Sequence, residues 1–247
     1  MTPLIFESYP KQRPPLPPAY QKIYTEHYRN NREGQTAASS LSQKMESWLH
    51  RKVAAGLAPA DNKATLEIGA GTLNQLRYED TQPYDIVEPF TSLFEGSELL
   101  PRVRYIYPDI EAVPLENRYQ RITAIATFEH ILDLPKVVAR ACMLLDEGGS
   151  LRVSIPNEGS FCWKLGWMLT TGLEFRLRYG LDYGTLMRHE HVNTADEVEE
   201  VLKYFFQNVK AAYFGINKRI AFYRYYECTQ PREVGPPSFF GRVKSRK

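Results

Sequence analysis

Only three cysteines, Cys142, Cys162 and Cys228, occur in 247 residues, far apart and with no CxxC pair. That excludes a disulfide scaffold and a zinc ribbon, and it fits a reducing cytoplasm. Excess charge is scarce as well: the net value of +2 gives no footprint for a nucleic-acid partner. No apolar run approaches the roughly 20 residues that cross a bilayer. The opening MTPLIFESYPKQRPP has no basic region followed by an apolar one, so no secretory signal is expected and the protein reads as soluble and cytoplasmic. No internal repeat is found. What remains is a globular composition, 43% hydrophobic and 24% charged, in a chain long enough to bury a full core.

Six prolines between Pro3 and Pro18 predict an extended leader. Helical spacing follows at Tyr20, Ile23, Tyr24, His27 and Tyr28, and again at Leu41, Met45, Trp48, Leu49 and Val53. Residues 1–60 are therefore expected to form a leader and helices that cap a main domain at 61–247. From residue 64 short apolar runs alternate with helical ones, which is the pattern of parallel βα units. Strands are predicted at 64–68, 84–88, 103–107, 121–127 and 150–155, with two closing strands near 209–216 and 220–228. Val137, Val138, Ala141, Leu144 and Leu145 share one helical face, and Glu147-Gly148-Gly149 is expected to cap that helix. Thr194-Ala195-Asp196-Glu197 reads as a capping box opening a last helix. The fold class is α/β with a doubly wound sheet.

The stretch LEIGAGTLNQL, residues 66–76, is a strand ending in a glycine turn. A dinucleotide fingerprint needs a third glycine where this chain has Asn74, which weakens an NAD reading. Glu67 at the strand end would repel a phosphate and welcome a cationic amino-acid group. S-adenosylmethionine carries an ammonium and a sulfonium and no phosphate, so charge favours it as the ligand.

These residues carry a resemblance. LEIGAG resembles the first motif of class I S-adenosylmethionine-dependent methyltransferases, with Leu73 where a third glycine is frequent. YDIVEPF ends its strand in Glu88, matching the acidic residue that accepts both ribose hydroxyls in that family, with Pro89 beside it. YPDIEAVP puts Asp109 and Ile110 where family members meet the adenine amine and ring, and ATFEHILDLP is similar to the fourth-strand motif, with Thr127, Phe128, Glu129, His130 and Asp133. The resemblance covers about residues 64–157. It implies a Rossmann-like class I fold: a seven-stranded, mostly parallel sheet, helices on both faces and an antiparallel last strand. It also implies S-adenosylmethionine as donor, S-adenosylhomocysteine as product, and Glu67, Gly69, Ala70, Gly71, Glu88, Pro89, Asp109, Ile110, Thr127, Phe128 and Glu129 as donor contacts.

The acceptor is read from a segment of about 35 residues, 158–193. The (N/D)-P-P-(Y/F) turn of base-amine methylation is absent after the fourth strand, where Ala126-Thr127-Phe128-Glu129 stands. Phe161, Trp163, Trp167, Phe175, Tyr179 and Tyr183 mix with Arg176, Arg178 and Arg188, a composition that suits a sugar bearing a phosphate or carboxylate. Trp163, Tyr183 and Arg188 are the candidate acceptor contacts. The stretch MRHEHVN resembles the histidine-bearing turn of small-molecule methyltransferases from bacterial polysaccharide and O-antigen pathways. His189, His191 and His130 are the candidate bases for a hydroxyl acceptor. Structural pinning of a lid is the alternative for the pair, and a divalent metal on it is a third reading, although no metal is assigned. FCWKLGWMLTTGL is expected to be a buried lid helix, its two glycines arguing against the alternative of a weakly membrane-associated interfacial helix. The tail GRVKSRK reads as a solvated end.

The expected activity is O-methylation of a sugar or polysaccharide precursor. The rivals are methylation of a quinone, a carboxylate or a natural-product phenol, and a non-catalytic donor-binding scaffold. Oligomeric state stays open.

Overall fold

The computed structural model describes residues 4–21, 23–24, 40–56, 64–79 and 83–233. His27, Tyr28, the expected domain boundary at 60/61 and the basic tail lie outside the described residues. Seven strands form one sheet: β1 (Thr65–Ile68), β2 (Tyr84–Val87), β3 (Val103–Tyr107), β4 (Tyr119–Ile125), β5 (Leu145–Pro156), β6 (Phe206–Gly215) and β7 (Ala221–Pro231). Their order is β3-β2-β1-β4-β5-β7-β6. The first five are parallel, and β7 runs antiparallel to both β5 and β6. The antiparallel strand, last in the chain, thus sits inside the sheet and β6 forms the edge.

The sequence explains the layering. All four residues of β1 and all four of β2 are buried, as expected of strands covered on both faces. Helical residues at 18–21 and 23–24 precede α1 (Ser40–Ala54), α2 (Leu134–Leu144), α3 (Phe161–Trp167), α4 (Leu173–Tyr179), α5 (Tyr183–Glu190) and α6 (Ala195–Phe205). Val138, Ala141 and Leu144 of α2 and Val198, Val201, Leu202 and Phe205 of α6 enter one core with Leu66, Ile122, Leu151 and Val153 of the sheet. The capping box of α6 forms as expected, Thr194 accepting from the Glu197 amide while Glu197 accepts from that of Thr194.

Two buried arginines tie α1 to the sheet. Arg121 on β4 and Arg152 on β5 both donate to the Val53 carbonyl, at 3.2 and 2.7 Å. Cations at a helix C-terminus meet the negative end of its dipole. Arg121 is wholly buried, and Glu79 neutralises it.

Two expectations are corrected. The helix α2 ends at Leu144, with Leu145 already extended, so Glu147-Gly148-Gly149 does not cap it. Leu145 instead pairs with Tyr119 at the irregular start of β5. Gly149 is needed there because a Cβ would lie 2.9 to 3.1 Å from the carbonyls of Asp146, Tyr119 and Gln120. The second correction concerns FCWKLGWMLTTGL. It is helical, and a π turn at Met168–Gly172 joins α3 to α4, but its apolar side chains are not buried: Phe161 is 76% and Leu169 66% exposed. The glycines explain the reversal. A Cβ on Gly166 would meet the Phe222 ring at 3.1 Å, and one on Gly172 the Trp167 carbonyl at 3.0 Å. Gly166 thus lies on the packed side and lets the helix approach Phe222 closely, which leaves the large side chains outside, while Gly172 makes room for Trp167 within the segment itself.

Candidate functional site

The C-terminal ends of the parallel strands open onto one cavity of about 2410 Å³. That exceeds the roughly 300–1,000 Å³ of ordinary small-ligand sites, so it has room for two ligands side by side. It lies where the strand order reverses between β1 and β4, the expected place for a ligand in a doubly wound sheet.

Glycine is required at the turn after β1. Gly69 has φ +73°, and a Cβ there would lie 2.5 Å from the Thr127 side chain after β4. Leu73, where relatives often carry glycine, also adopts a left-handed conformation (φ 65°) and is fully buried. Glu88 is buried at the end of β2, its Oε2 accepting from the Gly71 amide (2.9 Å) and its Oε1 from the Phe90 amide (3.0 Å). Each oxygen keeps a second lone pair for a ligand hydroxyl. Glu67 accepts from the Tyr84 hydroxyl at 2.8 Å, yet burial pushes its carboxyl up to about 8. Asp109 caps the turn Ile110–Ala112 through one oxygen, at 2.9 Å from the Ala112 amide.

Of the expected donor contacts, Glu67, Gly69, Ala70, Gly71, Glu88, Pro89, Asp109, Ile110 and Thr127 line the cavity. Phe128 and Glu129 do not; Phe128 is wholly buried in the core and Glu129 sits beneath the cavity wall. On the acceptor side Trp163 and Tyr183 line it, whereas Arg188 points outward, bonded to Thr185 at 3.1 Å and beside Asp182.

The three histidines separate clearly. Only His130 lines the cavity. The His189 ring bonds the Pro14 carbonyl at 2.7 Å and stands edge-on to Tyr24. His191 lies behind His130, their centroids 4.8 Å apart, with its Nδ1 2.7 Å from Glu158. Burial opposes charge on His191, but the hydrogen bond to Glu158 and the nearby carboxylates outweigh it and raise its pKa. His130 goes the other way: burial, then the neighbouring His191, hold it well below the usual imidazole range. Its Nδ1 is 3.0 Å from the Glu190 carbonyl and 3.5 Å from Glu190 Oε2. An Nδ1–H donated to that carbonyl leaves Nε2 with its lone pair, 3.8 Å from Glu129 Oε1, so the ring on the cavity wall is a neutral acceptor.

Glu129, His130 and His191 are the cluster among the described residues whose donor atoms approach within 4.8 Å of one another. Two ligands on one zinc-sized ion can be at most about 4.4 Å apart, so the side chains would have to close in to share one. Glu129 Oε2 is buried without a hydrogen-bond partner, and burial raises its carboxyl to about 7.

Several residues here were not singled out from sequence. Arg13, from the proline-rich leader, donates to the carbonyls of His130 (3.0 Å), His189 (2.8 Å) and Glu190 (3.0 Å). The Lys11 amide bonds the Leu132 carbonyl, and its ammonium bonds Val192 and Glu197. Glu158 also accepts from the Trp163 indole at 2.6 Å. The spacing of Glu158 just after β5 and of Glu190 between two histidines was the only available signal for either.

No protein-family model matches the chain, and no curated protein matches it in sequence. Solved structures share its fold. One is a plantazolicin methyltransferase crystallised with a monoazolic desmethylPZN analogue and SAH (TM-score 0.58, 11% identity, 85% of this chain and 92% of that one). Another is a SAM-dependent methyltransferase of Thermotoga maritima, a possible histamine N-methyltransferase (TM-score 0.54, 16% identity, 86% and 98% covered). A third is the CurJ carbon methyltransferase (TM-score 0.52, 20% identity, 77% and 55% covered).

Proposed function

We propose that this chain, which has the class I methyltransferase fold, is an S-adenosylmethionine-dependent methyltransferase acting on a hydroxyl of a sugar or polysaccharide precursor. The observation that carries the donor half is the Glu88 carboxylate, fixed by the Gly71 and Phe90 amides beside a turn where only glycine fits. Such a carboxylate takes two vicinal ribose hydroxyls and repels a phosphate. Glu67 meets the cationic amino-acid end, and Asp109 keeps one oxygen for the adenine amine. When bound, the donor supplies an electrophilic methyl on a sulfonium.

The acceptor half rests on His130 and the aromatic wall of Trp163, Trp167, Tyr183 and Tyr223. Flat rings cover a sugar face and exclude water. His130 Nε2 accepts the hydroxyl proton as the new O–C bond forms and the C–S electron pair returns to sulfur. Glu190 Oε2 then faces the imidazolium from 3.5 Å. His191, paired with Glu158, holds the lid and sets the field on His130. Orientation of the acceptor oxygen supplies most of the acceleration and the base adds about 10²–10⁴-fold.

The test is transfer of radiolabelled methyl from the donor to a panel of nucleotide sugars and lipid-linked sugars. Alkali-stable label in the sugar supports an ether product. Label only in amines, carboxylates or carbon acceptors overturns the hydroxyl assignment. Donor binding with no label in any acceptor would favour the scaffold reading.

A further inference from the structure

Among the described residues, fourteen large hydrophobic side chains are exposed, and six of them fall between Phe161 and Leu177. Phe161, Leu165, Leu169, Leu173 and Leu177 recur every fourth residue. In a pure α-helix that series drifts by about 40° per step and would wind off one face. The π turn at Met168–Gly172 takes more residues per turn and holds the drift back, so the stripe stays on the outer side. The inner side carries Trp163, Gly166, Trp167, Phe175 and Tyr179 over the cavity. Leu169 belongs to both, lining the cavity while 66% exposed, so the stripe reaches the cavity mouth.

We propose that the outer face of residues 161–179 rests on an anionic lipid surface and that the acceptor is a lipid-linked sugar delivered from it. The acceptor clause rests on the methyltransferase reading; the surface does not. Lys164 and Arg176 are exposed along the same segment off the cavity wall, while Arg178 and the one carboxylate, Glu174, are exposed where the segment borders the cavity. A second copy docked by a two-fold axis would set these cations against themselves, whereas anionic headgroups complement them. No helix of the described residues is long and apolar enough to cross a membrane, so the contact is one of lying on the surface.

The test is co-sedimentation of the full chain with vesicles of phosphatidylcholine alone and of equimolar phosphatidylcholine and phosphatidylglycerol. The chain should pellet with the anionic vesicles. Leu173→Glu with Leu177→Glu should cut partitioning by about tenfold or more, with donor binding and thermal midpoint unchanged because both side chains already face solvent. Lys164→Glu with Arg176→Glu should abolish the preference for anionic vesicles. No pelleting, equal pelleting of the leucine variant, or a dimer in light scattering that this variant dissolves would overturn the proposal. Vesicle binding without donor binding would sink the methyltransferase reading and leave the surface standing; the reverse result would do the opposite.

Discussion

The proposed donor and acceptor sides of the cavity are built on different plans. The donor side is made of strand ends: Gly69, Glu88, Asp109 and Thr127 each follow a parallel strand, and backbone amides hold the carboxylate in place. The acceptor side is assembled from distant pieces, with Arg13 of the leader, His130 after β4, Trp163 on α3 and Glu190 on α5. A preorganised pocket for an invariant ligand can be part of the sheet. A pocket for a variable ligand is better carried by segments that change without disturbing the core.

That contrast can be broken experimentally, beginning with the largest effect. His130→Gln should lower kcat by about 10²–10⁴-fold and leave the donor Kd nearly unchanged; an equal loss in both would make His130 a donor contact. Glu88→Ala should weaken donor binding by about 10²-fold or more, since charged hydrogen bonds of roughly 1.5–3 kcal/mol each are lost, with melting little altered when no ligand is present. Gly69→Ala should lower the thermal midpoint by the equivalent of about 1–3 kcal/mol, because the methyl would strike Thr127 in a left-handed backbone.

Acid–base linkage gives a subtler test. Burial holds Glu67 protonated up to about 8, against 4.5 when unfolded. Between those values the folded state keeps a proton that the unfolded state has released, so stability of the unliganded chain falls as pH rises, by up to about 1.4 kcal/mol per pH unit. Glu67→Gln should flatten that slope in denaturant titrations at a series of pH values. A cationic donor group would drive off the proton, so donor affinity should rise toward pH 8 with proton release visible as a buffer-dependent binding heat. The smallest effect is expected at His189, which bonds Pro14 and faces away from the cavity; His189→Gln should leave kcat within about threefold.

Legibility in the sequence follows the same division. The strands, the parallel pattern of the sheet and the glycine turn with its buried carboxylates could be read because each need is local: a glycine where a Cβ would strike Thr127, an acid at the end of a buried run. The acceptor side could not. Nothing near His130 announces that Arg13, far back in the leader, bonds its carbonyl, or that the His191 ring bonds Glu158. The lid was misread because glycines in a helix suggest weakness, whereas here Gly166 lets a face pack against Phe222. The Gly148 turn was misread because a strand pairing at Leu145 outcompeted helix capping.

The most direct measurement is isothermal titration of the chain with S-adenosylmethionine and with NAD, repeated on Glu88→Ala. Saturable one-to-one binding of S-adenosylmethionine that is lost in the variant, with no heat from NAD, is the expected result. Absence of binding and of thermal stabilisation by S-adenosylmethionine, or undiminished binding to Glu88→Ala, would contradict the assignment of this cavity as a methyl-donor site.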